Sequence, residues 1–208
     1  MAKDFDFSDF KNYNMMNVIR PLCNAIGKVK YKVEIIGSEN LDRPGGYIIA
    51  SNHVSALDPM FIGMSSKRLF HYIAKKELFE NPVMNVAMKH MNAFPVIRGV
   101  GDMKAVNYAI ELVKRGEVLV IFPEGTRSPD GSPKEAKSGV AYIARTTESD
   151  VVPCAIHIDK ETSKAIVKFG KAIKYAELGM TVGGRSKENK QAAAYIMDEI
   201  KKLWEECE

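Results

Sequence analysis

Residues 94–122 read FPVIRGVGDMKAVNYAIELVKRGEVLVIF, and this stretch predicts the fold more directly than any other. It begins with a short apolar strand, Phe94–Ile97, and ends with a second one, Val118–Phe122. Between the strands, apolar residues recur on one helical face: Val106, Ala109, Ile110 and Val113. Asp102 is placed to cap the start of that helix, and Gly116 to end it. A strand, a helix and a strand in this order predict a βαβ unit with a parallel pair of strands.

Regular patterns continue on both sides of this unit. Lys28–Ile35 alternates charged and apolar residues, which predicts a strand with one exposed face near an edge of a sheet. Further strands are predicted at Tyr47–Ala50, Val151–Ile156 and Ala165–Phe169, and further helices at Gly139–Thr147 and from about Lys187 onward. The sequence therefore predicts an α/β domain over residues 28–208, with a mixed, partly parallel sheet and helices on both of its faces.

Composition limits the class of protein. A chain of 208 residues with 46% hydrophobic and 27% charged residues is typical of one folded domain that needs no disulfide or metal to hold it together. The three cysteines are odd in number and far apart, which indicates a reduced protein without a disulfide framework. The longest uncharged stretch, Pro44–Leu57, falls short of the about 20 apolar residues of a spanning helix, so we expect none.

The N-terminal residues 1–27 predict a short amphipathic helical segment. Its apolar face consists of Met15, Ile19, Leu22 and Ile26, and Pro21 interrupts the pattern. Five basic residues and no acidic one occur between Lys11 and Lys32, although the net charge of the chain is only +4. Such a basic stretch indicates nucleic acid, an anionic membrane surface or a merely solvated face.

The polar stretch SNHVSALDP, residues 51–59, directly follows the predicted strand Tyr47–Ala50. Open α/β sheets place their ligand crevices at such strand ends. Across this turn, Asp58 can accept a hydrogen bond from one ring nitrogen of His53 and leave the other nitrogen as a base. The alternative for Asp58 is a structural one, since Asp followed by Pro59 is typical of a helix N-cap.

Two further strand ends carry polar residues. Phe122–Ser128 contains Glu124, Gly125, Thr126 and Arg127, and Phe94–Gly99 places Arg98 after another strand. An arginine fork suits a phosphate or a carboxylate, whereas a surface turn is the structural alternative. We expect Glu124 to hold Arg127 or a backbone N–H of the loop.

Other kinds of site lack support in the sequence. No Walker A loop and no G-x-S-x-G elbow occur, and Lys104 stands where a dinucleotide loop needs its third glycine. The histidines other than His53 and the cysteines lack the spacing of metal ligands. The prediction is therefore a protein without a metal or a cofactor.

Taken together, these segments resemble the glycerophospholipid acyltransferase family, specifically the bacterial 1-acylglycerol-3-phosphate acyltransferases. His53 with Asp58 resembles its H-x-x-x-x-D motif, and the further blocks are, in order, Ala74–Phe79, Phe94–Gly99, Phe122–Ser128 and Val152–Ile156. The blocks follow the family's order over roughly residues 30–170.

The resemblance implies transfer of a fatty acyl group from a thioester, on acyl carrier protein or coenzyme A, to the 2-hydroxyl of 1-acylglycerol 3-phosphate. His53 is then the general base and Asp58 its orienting partner. Arg98 and Arg127 then bind the acceptor's phosphate, and Gly125 and Thr126 shape the loop. Lys75 is a weaker candidate for binding the phosphate. Another lysophospholipid or lyso-aminolipid acceptor, or a thioesterase-like hydrolase, remains the alternative.

The resemblance also gives residues 1–27 a role, since compact members of the family dock an N-terminal helical pair onto the cytoplasmic leaflet. It implies a peripheral protein on the cytoplasmic side of the cell membrane. The basic residues near the N-terminus then favour an anionic membrane surface over nucleic acid.

Overall fold

The computed structural model describes residues 5–9, 12–13, 31–128, 131–181, 184 and 186–207. Its strands are β1 Lys32–Ile36, β2 Tyr47–Ser51, β3 Phe70–Lys75, β4 Ala93–Val96, β5 Val118–Ile121, β6 Val151–Asp159 and β7 Lys164–Phe169. The α-helices are α1 Asp58–Gly63, α2 Pro82–His90, α3 Met103–Lys114, α4 Gly139–Thr147 and α5 Ser186–Glu205. Short 3₁₀ turns lie at Ser38–Leu41, Lys76–Phe79 and Tyr175–Leu178.

The strands form one sheet in the order β1-β7-β6-β2-β5-β3-β4. β6, β2, β5, β3 and β4 pair in parallel, whereas β7 is antiparallel to β6 and β1 is parallel to β7. The predicted mixed, partly parallel sheet is thus confirmed. One consequence matters for function: the carboxyl ends of β2, β5, β3 and β4 lie along the same edge of the sheet, in that order.

The two faces of the sheet are covered unequally. Alternate residues of β2 point to opposite sides, so that Ile48 and Ala50 pack under α3, α4 and α5, while Tyr47 and Ile49 join the second core with α1. The predicted helices at Gly139–Thr147 and near the C-terminus lie on the first face. The prediction of helices on both faces is confirmed.

The predicted βαβ unit is correct in its elements and wrong in its pairing. Asp102 caps α3 by accepting a hydrogen bond from the Ala105 N–H at 3.2 Å, and the backbone of Gly116, just after the helix, is left-handed. β4 and β5 run in the same direction, but β3 lies between them. The sequence did not predict β3, because the buried His71 interrupts the apolar run that would indicate a buried strand.

The alternating segment near the N-terminus is an edge strand, as predicted. Tyr31, Val33 and Ile35 are half-buried, Lys32 and Glu34 are exposed, and β1 is the outermost strand on its side. Residues 28–30 of the predicted strand lie outside the described residues. On the exposed face, Glu34 of β1 forms a salt bridge with Lys164 of β7, with 2.8 Å between Oε2 and Nζ.

The described N-terminal residues lie at the opposite edge of the sheet. Phe5 and Phe7 pack edge-on against Tyr108 of α3, with ring centroids 5.7 and 5.6 Å away. Further along, the Tyr13 N–H donates to Asn92 Oδ1 at 2.7 Å. The predicted helical face of Met15, Ile19, Leu22 and Ile26 lies outside the described residues, so the helical segment over 1–27 stays a prediction. No helix in the described part of the chain is both long and apolar enough to span a membrane.

Candidate active site

His53 and Asp58 meet in the turn between β2 and α1. His53 Nδ1 is 2.7 Å from Asp58 Oδ2, and Asp58 is fully buried. The same oxygen accepts hydrogen bonds from the backbone N–H groups of Val54 at 2.7 Å and Ser55 at 2.8 Å. Asp58 is the first residue of α1 and Leu57 its N-cap, so the structural alternative, a helix N-cap at Asp58, is wrong. The carboxylate reaches back instead and fixes the loop that carries the histidine.

The hydrogen bond to Asp58 determines which ring nitrogen of His53 is available. A carboxylate only accepts hydrogen bonds, so in the neutral imidazole Nδ1 carries the hydrogen and Nε2 keeps its lone pair. No described residue forms a hydrogen bond with Nε2. The His53 side chain is 15% exposed, which makes it reachable from solvent while most of its surface is packed. The arrangement is that of an oriented base.

Residues that follow β5 hold His53 from the other side. The ring of Phe122 stacks on the imidazole, with centroids 4.2 Å apart and planes inclined by 22°. The backbone N–H of His53 donates to Glu124 Oε1 at 3.0 Å, and its carbonyl accepts from the Ser128 N–H at 2.7 Å. The sequence predicted neither the stacking of Phe122 nor the contact of Ser128, because both depend on β5 lying beside β2.

Glu124 therefore positions the histidine loop. The prediction gave it Arg127 or a backbone N–H of its own loop, whereas the N–H that it accepts from belongs to His53, in the loop after β2. Burial raises the pKa of Glu124, and the hydrogen bond from His53 opposes that rise. Its second oxygen, Oε2, is buried without a hydrogen-bond partner in the described part of the chain.

The loop after Glu124 exposes the residues predicted for anion binding. Gly125 has a φ of 70°, which favours glycine, and Thr126 and Arg127 are exposed. A Cβ on Gly125 would lie 2.8 Å from the Lys137 Nζ, so the Lys137 side chain extends over this glycine. Lys137 is a cation of the site that sequence reasoning missed, since it precedes α4 and follows no strand.

Lys75 and Arg98 lie at the far end of the same edge. Lys75 is opposite Val96 in the β3–β4 pairing, and Arg98 follows two residues later; both side chains are exposed. Lys75 forms an ion pair with Glu77 at 3.0 Å. Neighbouring strands are about 4.8 Å apart, which puts β4 about 14 Å from β2. The structure thus brings the predicted strand ends to one edge. Arg127 directly precedes Ser128, which bonds to the His53 carbonyl, and the other two cations follow strands further away.

Asn52 has a structural role that the sequence did not predict. Its side chain is fully buried and bridges to β6, donating to the Ile156 carbonyl at 2.8 Å and accepting from the Ile156 N–H at 2.7 Å. These bonds extend the β2–β6 pairing by one residue and fix the start of the histidine loop. The only sequence signal was an asparagine directly after a buried strand.

Among the described residues, the other polar groups of the core form no second site of this kind. Cys154 is fully buried in the core, and this burial raises the pKa of its thiol. Burial lowers the pKa of His71, and Glu117 at 3.6 Å opposes that shift. Among the described residues, no group of three or more His, Cys, Asp and Glu is arranged to hold a metal ion.

Comparison with known proteins agrees with this geometry. The family model described as Acyltransferase matches residues 32–157, which include His53, Asp58 and the loop after β5. The 1-acyl-sn-glycerol-3-phosphate acyltransferase of Bacillus subtilis is 34% identical over 156 residues, covering 74% of this chain and 75% of that protein. The protein of the same name from Borreliella burgdorferi is 30% identical, covering 61% of this chain and 51% of its own length.

A solved structure extends the likeness to the whole fold. The crystal structure of the 1-acyl-sn-glycerophosphate acyltransferase PlsC from Thermotoga maritima matches with a TM-score of 0.76 and 26% identity. The match covers 92% of this chain and 79% of that one. The family model spans more than half of the chain and contains the oriented histidine, so the chain belongs to the Acyltransferase family, as its motifs predicted.

Proposed function

We propose that the protein transfers a fatty acyl group from a thioester to the 2-hydroxyl of 1-acylglycerol 3-phosphate and so forms phosphatidic acid. The observation that carries this proposal is the His53–Asp58 pair, in which Nε2 is left as a base at the edge of the sheet that also bears Arg127. The names of the Bacillus and Borreliella relatives support the choice of acceptor.

The proposed reaction is a direct transfer. His53 Nε2 takes the proton of the acceptor hydroxyl, and the oxygen attacks the thioester carbonyl. The tetrahedral intermediate then collapses, the carbon–sulfur bond breaks, and the leaving thiolate takes the proton from the imidazolium. A positioned base of this kind contributes about 10²–10⁴-fold to the rate. Cys154 is no candidate for an acyl-enzyme, because its thiol is fully buried in the core and no substrate reaches it.

Asp58 supports both protonation states of the base. Its carboxylate fixes the Nδ1–H tautomer before the reaction and stabilises the imidazolium that forms during it. Phe122 and the bonds from Glu124 and Ser128 restrict the ring and its backbone, so that Nε2 is held in one place. Such restriction is what an oriented base requires.

We assign the acceptor's phosphate to Arg127 and Arg98, with Lys75 as an additional cation and with Gly125 and Thr126 shaping the loop. Arg127 and Arg98 are exposed, and a guanidinium offers two parallel donors to a phosphate. Lys137, which extends over Gly125, adds positive charge next to this loop.

A donor-by-acceptor panel on the purified protein tests the function. Acyl carrier protein and coenzyme A thioesters are each offered with 1-acylglycerol 3-phosphate, with another lysophospholipid and with a lyso-aminolipid, and His53→Ala is the control. We expect phosphatidic acid as the main product. Free fatty acid alone would indicate a thioesterase-like hydrolase, and a preference for another acceptor would overturn the phosphate assignment.

We also propose that the protein works at the cytoplasmic surface of the cell membrane and that residues 1–27 contribute to binding it. Removing those residues altogether is a poor test, because Phe5 and Phe7 pack on Tyr108. Serine at Met15, Ile19 and Leu22 leaves these contacts in place. We expect this variant to float less with anionic vesicles; unchanged flotation would contradict the role of this segment.

A further inference from the structure

Large apolar side chains are exposed mainly in one part of the molecule. Of the nine such side chains among the described residues, seven occur between residues 78 and 103. We name them the edge patch: Leu78, Val83, Met84, Val86, Ile97, Val100 and Met103. The other two, Ile36 and Tyr195, lie on β1 and α5. Isolated exposed apolar residues are common, whereas a concentration of this kind marks an interaction surface.

The two segments that carry the edge patch are neighbours in space. β3 and β4 are paired in parallel, with Lys75 opposite Val96, so the chain leaves both strands at the same edge and continues into the two segments. The pKa of Glu77 is lowered first by its own backbone N–H, then by Lys75 and, more weakly, by Arg98. The Arg98 charge therefore acts on the segment that follows β3.

Helix α2 presents apolar residues outward. Val83 is 77% and Val86 is 56% exposed, whereas the polar Asn85 is buried. The side chain of Asn81 caps the helix by accepting from the Val83 and Met84 N–H groups, which fixes the first turn with these residues exposed. A helix that faced only water would present the opposite pattern.

Basic residues outnumber acidic ones in the segments that carry the edge patch. Between residues 75 and 104 the basic residues are Lys75, Lys76, Lys89, Arg98 and Lys104, and the acidic ones are Glu77, Glu80 and Asp102. Glu77 pairs with Lys75, which leaves Lys76, Lys89, Arg98 and Lys104 against Glu80 and Asp102. Apolar side chains among basic ones are the combination that binds an anionic lipid surface.

We propose that the edge patch is a membrane-contact surface, additional to residues 1–27, that seats the carboxyl edge of the sheet on an anionic leaflet. A second copy of the chain is a poorer occupant, because a two-fold pairing would place the same cations opposite each other. A leaflet instead offers hydrocarbon to the valines and anionic headgroups to the lysines.

The proposal deepens the proposed function and rests on it for the identity of the substrate. Lys75 and Arg98 lie among the residues of the edge patch, at headgroup level if the patch enters the leaflet. An acceptor lipid that leaves the leaflet there moves along this edge of the sheet to reach His53. The order β4, β3, β5, β2 then describes the direction from the membrane to the base.

Vesicle flotation of the full chain tests the proposal. The vesicles consist of phosphatidylcholine with about one third phosphatidylglycerol and contain no substrate, so this measurement is independent of the proposed function. The variant carries Val83→Ser, Val86→Ser and Val100→Ser, and the matched control carries Ile36→Ser and Tyr195→Ser. We expect the partition coefficient of the variant to fall about tenfold or more, and that of the control to stay within about twofold.

Thermal unfolding separates the possible outcomes. Weaker flotation with an unchanged Tm supports the proposal. Unchanged flotation overturns it, as does a lowered Tm, which would mean that residues 14–30 or another part of the chain cover the patch. A dimer that the triple variant abolishes, detected by light scattering without vesicles, would assign the patch to a second copy instead.

A fluorescence measurement and an activity comparison complete the test. In a Cys23→Ser background, an environment-sensitive label on Val86→Cys should shift to the blue with vesicles, and one on Tyr195→Cys should not. The triple variant should lose transfer to a long-chain acceptor in vesicles but keep transfer to a soluble short-chain one. If the wild type transfers to neither, the proposed function fails while the flotation result stands.

Discussion

At the carboxyl ends of β2 and β5, His53, Asp58 and Glu124 are packed and hydrogen-bonded, whereas at the ends of β3 and β4 the cations Lys75 and Arg98 are exposed. The first pair of strands connects its loops by bonds between distant residues: the His53 N–H to Glu124 and the Ser128 N–H to His53. The second pair ends in segments whose apolar residues face outward.

The contrast shows that the two halves of this sheet edge meet different physical requirements. A base must keep one tautomer and one position, and burial with several hydrogen bonds enforces both. Cations that recognise a mobile lipid headgroup must instead remain accessible, and their long side chains suit that need. The following substitutions test the division, from the largest expected effect to the smallest.

Replacing the base should have the largest effect on activity. His53→Ala removes the proposed proton acceptor, so we expect kcat/KM to fall by about 10²–10⁴-fold, measured as acyl transfer to 1-acylglycerol 3-phosphate. Thermal unfolding should change little, because Asp58 keeps its bonds to the Val54 and Ser55 N–H groups. His90→Ala, on α2, is the control; equal losses in both variants would show that His53 has no special role.

Replacing the bridge between β2 and β6 should lower stability most. Asn52→Ala leaves the Ile156 N–H and carbonyl buried without partners, which costs about 3 kcal/mol of unfolding free energy. Urea unfolding measures the loss. Asn40→Ala is a milder comparison, because Asn40 donates one hydrogen bond, to the Phe169 carbonyl, from a half-buried position. Equal costs would mean that the Asn52 bridge contributes nothing beyond an ordinary bond.

Replacing the exposed arginine of the loop should affect recognition alone. Arg127→Ala should raise the KM for the acceptor about tenfold and leave kcat and the Tm nearly unchanged, because Arg127 lies on the surface and the proposal gives it only the phosphate. Arg115→Ala, at the surface end of α3, removes an arginine paired with Glu111 and should leave KM unchanged. An unaltered KM in Arg127→Ala would refute the phosphate assignment.

Replacing Glu124 should change mainly how stability depends on pH. Its pKa is raised by burial, so its contribution is fully present below the pKa of the unfolded chain, about 4.3, and is lost as the pH rises through the folded value. Glu124→Gln keeps an acceptor for the His53 N–H but cannot ionise. The stability of this variant relative to wild type should therefore rise over that window and stay level above it.

Urea unfolding from pH 4 to 8 measures this difference. Glu135→Gln, at an exposed site, is the control. A difference that falls with rising pH would mean that the charge of Glu124 stabilises the loop and that the direction of its pKa shift is wrong.

Local patterns predicted most of the elements but not how they are assembled. α3 with its cap at Asp102, α4 and the edge strand β1 follow from periodicity, since each repeats a pattern within a few residues. β3 was missed and the β4–β5 pairing was wrong, because periodicity indicates that an element is buried without indicating its neighbours. The predicted N-cap at Asp58 was wrong for a related reason. The Asp58 carboxylate bonds to His53 and to the Val54 N–H, in the turn before the helix begins.

The sequence by itself determined the His53–Asp58 pair, since the two residues lie five positions apart across a single turn and meet through local geometry. The grouping of cations after strand ends followed as well, because parallel strands end at one edge. The tertiary structure alone decided what holds the base in place. Glu124 lies 71 residues from His53, and Ile156 lies 104 residues from Asn52. Such bonds exist only after β5 and β6 have taken their places on either side of β2.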